Sequence, residues 1–158
     1  MKHVISALVE NQPGVLARIV GLISGRGYNI ESLTVAPTHD SKVSRMTLSV
    51  PGDVRLLEQV TKQLNKLIEV IKVTDLTNQR HLDREVVLVE VTATSKNRDE
   101  IIKLVELAGA KIASVQQNSL TVQAVDQQDK IEEVLELLKP HKILQLSRSG
   151  VVAVPKSE

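Results

Sequence analysis

Along the chain, stretches that alternate apolar and polar residues in steps of two give way to stretches with apolar residues every three or four, and the order of the two periods repeats. Each half reads strand, helix, strand, strand, helix, strand. In the first half His3 to Val9 is a β-branched run, broken by Asn11-Gln12-Pro13-Gly14. Val15, Leu16, Ile19, Val20 and Ile23 then fall on one helical face, with Gly25 and Gly27 closing the segment. Asn29 to Ala36 and Val43 to Val50 alternate again around the polar turn Pro37 to Ser41, a hairpin. After Pro51-Gly52-Asp53, Leu57, Val60, Leu64 and Leu67 mark a second helix, and Glu69 to Leu76 a fourth strand.

The second half repeats the plan. Arg84 to Thr94 alternates over Val87, Val89 and Val91, and Ser95 is the expected cap of a helix carrying Ile101, Ile102, Val105 and Ala108 up to Gly109. Ala110 to Val115 and Leu120 to Val125 form a hairpin around Gln117-Asn118. Asp126 or Asp129 is expected to cap the last helix (Ile131, Val134, Leu135, Leu138), Pro140 ends it, and Lys142 to Val154 is the closing strand. Thr77 to Asp83 is polar and without period. The expected division is therefore a first domain at 1–76, a linker at 77–83 and a second domain at 84–158.

A βαββαβ order with right-handed crossovers folds into a four-stranded antiparallel sheet with both helices on one face. The expected class is thus α+β, two tandem ferredoxin-like modules of about 75 residues. The other face of each sheet is expected to be bare. Modules of this size bury only about 60% of their unfolded surface, and the chain has no Phe, no Trp and one Tyr, Tyr28, so the core must be aliphatic. Pairing of two copies would offset both shortages, and a homodimer is expected.

Composition narrows the function. Twenty Lys plus Arg face 19 Asp plus Glu, divided evenly between the halves, which gives no general attraction for nucleic acid or anionic lipid. Without aromatic faces there is no platform for stacking bases, although the same strand order builds RNA-binding sheets. No run approaches the roughly 18 apolar residues of a membrane span, and the first residues do not read as a signal peptide, so a cytoplasmic location is expected. No Cys is present. His3, His39, His81 and His141 are scattered, without metal-ligand spacing or a nucleophile elbow, and are expected to be solvated. Neither catalytic nor metal-binding residues are expected, and no cofactor in this chain.

One segment does point to binding. In Glu10-Asn11-Gln12-Pro13-Gly14-Val15-Leu16, Pro13 sets φ for a helix start and Gly14 has no side chain, so the first-turn N–H groups of Gly14, Val15 and Leu16 are unpaired and sterically open. A carboxylate fits there, helped by the positive end of the helix. Asn11 precedes it and Asn29 opens the next strand, two side-chain amides suited to the polar head of an amino acid. The same residues also read as an ordinary strand-to-helix turn.

On these residues the chain resembles a known family. Asn11-Gln12-Pro13-Gly14-Val15-Leu16 is similar to the start of ACT domains, sensors that bind amino acids between paired modules. Arg26-Gly27-Tyr28-Asn29-Ile30-Glu31-Ser32-Leu33-Thr34-Val35-Ala36-Pro37-Thr38 and Ser44-Arg45-Met46-Thr47 resemble the small, regulatory subunits of acetolactate synthase, and the likeness reaches Arg148-Ser149-Gly150-Val151. The second module departs from the usual pattern, with Glu106-Leu107-Ala108-Gly109 where such subunits carry a Phe-containing stretch.

The resemblance implies a non-catalytic subunit in branched-chain amino acid biosynthesis. Its partner large subunit would hold thiamine diphosphate, Mg²⁺ and FAD; this chain would raise that partner's activity and mediate feedback inhibition by valine. The effector site implied is Asn11, Gly14, Val15, Leu16, Asn29 and Ile30, at the dimer interface of the N-terminal ACT domains. A stand-alone amino-acid sensor acting on another partner is the alternative.

Overall fold

The computed structural model describes residues 2–157. Its elements follow the doubled order: β1 (Lys2–Glu10), α1 (Val15–Gly25), β2 (Ser32–Pro37), β3 (Val43–Pro51), α2 (Val54–Asn65) and β4 (Val70–Asp75), then β5 (His81–Thr92), α3 (Arg98–Leu107), β6 (Lys111–Val115), β7 (Ser119–Asp126), α4 (Gln128–Leu138) and β8 (Ile143–Pro155). The two sheets run β2-β3-β1-β4 and β6-β7-β5-β8, each the four-stranded arrangement that the sequence implies. Every pairing registered within them is antiparallel.

Two compact units result. One runs to Leu82 and also takes in the chain from Gly150 onward; the other is Asp83–Ser149. The boundary thus falls inside the expected linker at 77–83, whose last residues are already strand. Residues 150–157, expected in the second domain, group with the first. The physical reason is burial: Val151 and Ala153 pack with Leu76 and Val4 in a small apolar cluster of the first unit.

The first unit's main core lies between its sheet and its helices. Ile5, Ala7 and Val9 alternate inward from β1 and Met46, Leu48 and Val50 from β3; α1 adds Val15, Ile19 and Ile23, and α2 adds Leu57, Val60 and Leu64. Each buried aliphatic side chain stabilises the fold by about 1.5–3 kcal/mol. The opposite sheet face is not bare, as expected, but covered. Ser6, Thr47 and Ser49, which point that way, are 2%, 3% and 1% exposed. The second unit repeats the helix-side core with Val87, Val89, Val91, Leu120 and Val122 against Ile101, Val105, Ile131 and Leu138.

Local details depart from expectation at element ends. Asn97, not Ser95, is the N-cap of α3, its Oδ1 accepting the Thr94 N–H at 2.7 Å. Gln127 holds that place for α4, because the carboxylates of Asp126 and Asp129 accept the next residue's N–H instead. β2 begins at Ser32, so Asn29 and Ile30 lie before the strand. His3 is buried in β1, where its Nε2–H donates to the Gly52 carbonyl at 2.9 Å. None of the helices among the described residues is long and apolar enough to cross a membrane, and no group of three His, Asp or Glu there is placed to hold a metal.

Candidate functional site

The turn from β1 into α1 is pinned by backbone. The Glu10 N–H donates to Glu69 and the Asn11 N–H to Lys42, each at 2.8 Å, while the Asn11 Nδ2–H reaches the Ser41 carbonyl at 2.9 Å. That last bond uses the Nδ2 group and leaves the side-chain oxygen of the exposed Asn11 without a donor among the described residues. Gly14 is the N-cap, with φ +83°, a left-handed conformation that glycine adopts without strain. A Cβ there would meet nothing within 4 Å.

Open space and missing caps leave the start of α1 unsatisfied. No side chain caps it and no acidic residue stands in its first turn. The Val15 N–H makes a long bond of 3.3 Å to the Gln12 carbonyl, and the first intrahelical bond runs from Arg18 to Gly14 at 3.0 Å. Among the described residues no acceptor reaches the N–H groups of Leu16 or Ala17. Together with the helix dipole they form an anion-receptive end.

A cleft of about 210 Å³ opens beside it, between the start of α1 and the end of β2. Asn11, Gln12, Val15 and Leu16 line one side; Val35, Ala36 and Pro37 line the other, over a floor that includes Ile19 and Met46. Its rim is apolar and wet, Leu16 being 39% and Val35 40% exposed. β2 is an edge strand, its sheet partner among the described strands being β3, so the cleft lies along the edge of the sheet.

The six residues singled out by sequence do not meet within one chain. Asn11, Val15 and Leu16 line the cleft and Gly14 stands at its end; Asn29 and Ile30 are not part of it. They follow α1, whose 11 residues separate the two groups by about 16 Å at 1.5 Å per residue. Asn29 is exposed, and Ile30 packs partly on the core. Residues that the sequence reading missed are Gln12 and the Val35–Pro37 wall. An apolar residue beside a strand-ending Pro on an edge strand was the signal available.

The corresponding helix start in the second unit is built differently. Asn97 already satisfies the Thr94 N–H, and Asp99 and Glu100 fill the first turn of α3 with negative charge. An incoming carboxylate would be repelled. The charged groups of that unit serve structure instead: the buried Glu85 holds Arg148, which also meets Glu132 at 2.8 Å. Burial alone would lower the Arg148 pKa, but its bonds to Glu85 and Glu132 outweigh that and raise it. Glu90 accepts hydrogen bonds from Ser119 and Gln145, which hold its carboxyl below the usual value.

Comparison with known proteins matches both halves. Residues 5–72 fit the family described as AHAS small subunit-like ACT domain, and 84–157 fit that of the small subunit of acetolactate synthase. The chain belongs to the acetolactate synthase small subunit family. The acetolactate synthase small subunit of Haemophilus influenzae is 44% identical, covering 100% of this chain and 98% of its own. That of Aquifex aeolicus is 46% identical over 97% of this chain and 80% of its own length. Among solved structures, the acetolactate synthase small subunit from Thermotoga maritima superposes with a TM-score of 0.89 at 32% identity, over 100% of this chain and 99% of that one. The ACT identification of the first module and the ferredoxin-like class of the whole agree with the sequence reading.

Proposed function

We propose that the chain is the regulatory subunit of an acetolactate synthase, raising the activity of a catalytic large subunit and lowering it again when valine occupies the cleft at the start of α1. The observation that carries this reading is the uncapped helix start beside an apolar cleft on the edge of the sheet. An amino acid has the matching parts: a carboxylate for the Leu16 and Ala17 N–H groups, an ammonium for the Asn11 carbonyl oxygen, an aliphatic tail for Val15, Leu16 and Val35. Catalysis, with its thiamine diphosphate, Mg²⁺ and FAD, belongs to the large subunit in this reading.

The missing half of the site comes from a second copy. Asn29 and Ile30 sit just before the start of β2, while the cleft lies at its end. Antiparallel pairing of β2 with its twin, about a two-fold axis near Leu33, sets the start of each strand against the end of the other. Asn29 and Ile30 of one copy then close the cleft of its partner, extend the sheet to eight strands and remove an exposed edge. Two equivalent sites per dimer result.

Valine acts in this scheme only through its differential affinity for two arrangements of the subunit, with coupling typically of about 1–3 kcal/mol. Thermal melting of the pure chain with valine, leucine and isoleucine, beside sedimentation, tests the binding half; a ligand at 100 times its Kd raises stability by about 2.7 kcal/mol. A dimer whose melting point rises with valine is expected. A monomer, or a melting point indifferent to all three, would remove the site. Turnover of the large subunit with and without this chain tests the other half, and no change on adding it would point to a different partner.

A further inference from the structure

Of the four polar side chains lining the cleft, Glu10, Asn11 and Gln12 are exposed, while Ser44 is 5% exposed. Ser44 lies on β3 two residues before Met46, so strand alternation puts it on the same helix-facing side as Met46, Leu48 and Val50. It is the one hydroxyl in an apolar series. Its neighbours across the sheet are Val9 on β1 and Pro37 on β2, both of which line the cleft with it. No hydrogen bond reaches its side chain among the described residues. A buried hydroxyl without a partner is destabilising and rare in native proteins. This one stands on the wall of a cavity of about 210 Å³, where a ligand can supply what the fold does not.

The ligand group that needs it follows from the rest of the site. A carboxylate is met by the start of α1 and an aliphatic tail by Val15, Leu16 and Val35. An ammonium brings three donors, and the cleft of one chain has offered it the Asn11 side-chain oxygen alone. A charged N–H turned toward an apolar wall loses its water and gains nothing. Ser44 provides a second acceptor at the right end of the cleft, because its β1 neighbour Val9 precedes Asn11 by two residues. Glu10, the one acid among the lining residues, is exposed, so its attraction for a cation is screened by solvent.

We propose that Ser44 is a specificity-determining residue of the effector site, its hydroxyl accepting a hydrogen bond from the α-ammonium of the bound amino acid. The inference rests on the proposed valine site. The helix start and the apolar walls grip any small branched carboxylate alike, so only the groups that meet the ammonium tell an amino acid from the plain acid of the same skeleton. A buried hydroxyl that the wrong ligand leaves unpaired discriminates more sharply than fit alone.

The test compares the full-length parent and Ser44→Ala as dimers, first without ligand and then with valine, with threonine, and with 3-methylbutanoate, which is valine without its amino group. Unfolding is read by thermal melting, valine and threonine binding by calorimetry, and 3-methylbutanoate by displacement of valine. Without ligand, Ser44→Ala should melt at or above the parent, since the change removes an unpaired buried hydroxyl; a residue kept for structure would melt lower. Valine should bind Ser44→Ala about tenfold more weakly, the loss of one hydrogen bond to a charged group. The affinity for 3-methylbutanoate should change by less than about twofold, so that the loss is coupled to the ammonium. Unchanged valine affinity in Ser44→Ala would overturn the proposal. Equal losses for valine and 3-methylbutanoate would overturn it too, by showing a change of cleft shape, as would a loss confined to threonine, which would turn the hydroxyl toward the ligand's tail. Failure of the parent to bind valine would instead sink the site reading on which this one stands.

Discussion

Replacing Gly14 with Asp places a carboxylate where the account puts the effector's own. A Cβ at this position meets open space, so the substitution is not a steric block of the fold. The φ of +83° is one that Asp and Asn tolerate better than other side chains, which makes Gly14→Asn the matched neutral control. The new carboxylate also caps the N–H groups that no residue caps now. Each charged hydrogen bond to those groups contributes about 1.5–3 kcal/mol, and one at least is lost to the effector. Two carboxylates about 4 Å apart repel by roughly 4 kcal/mol at an effective dielectric of 20, less at an open rim. A loss of about 3 kcal/mol in all is a conservative sum, more than a hundredfold in Kd. Gly14→Asn competes for one N–H without charge and should weaken valine less than tenfold. Calorimetry on folded, dimeric protein reads both. Equal affinity of Gly14→Asp and the parent would refute the placement of the carboxylate at this helix end.

Three other substitutions probe the frame around the site. Arg148→Ala leaves the Glu85 carboxylate, 2% exposed, without its cation; thermal or urea unfolding should show a loss of about 2 kcal/mol, below the 3–5 kcal/mol of fully buried pairs because Arg148 is itself partly exposed. Glu90 has a folded pKa below its unfolded one, so its contribution is complete above the ordinary carboxylate range and is lost as pH falls through the lowered value; Glu90→Gln should therefore flatten the acid limb of the stability profile while leaving it unchanged in shape above pH of about 6. Asp53→Ala removes the bond from the Leu56 N–H at 2.9 Å that starts α2, and should lower stability by about 0.5–2 kcal/mol in a urea titration without altering valine affinity.

Periodicity made the architecture legible because the inward positions are non-aromatic apolar side chains at a clean spacing. Val87, Val89 and Val91 on β5, or Leu57, Val60 and Leu64 on α2, leave no second assignment. Caps were harder, since Ser95, Asp126 and Asp129 each lie within two residues of the N-cap, and the two carboxylates bind the N–H of the next residue in local turns. Least legible was the back of the first sheet. Ser32, Thr34, Thr47 and Ser49 read as a solvated face, because hydroxyls give no sign that a strand more than a hundred residues later will cover them.

The candidate site was legible as a list and not as a place. Pro13-Gly14 announces an open helix start from steric rules alone. What sequence order conceals is that Asn11 and Asn29 belong to opposite ends of α1, so that grouping them requires a second chain.

Mixed dimers test whether the site is shared in this way. One protomer carries Gly14→Asp and its partner Asn29→Ala, each of which, as a homodimer, should bind valine too weakly to measure. A site shared across the two-fold axis gathers both lesions on one side and leaves the other intact. The mixed dimer should then bind one valine with the parent's affinity. A mixed dimer that binds none would show that each site is built within a single chain, and the shared site would be wrong.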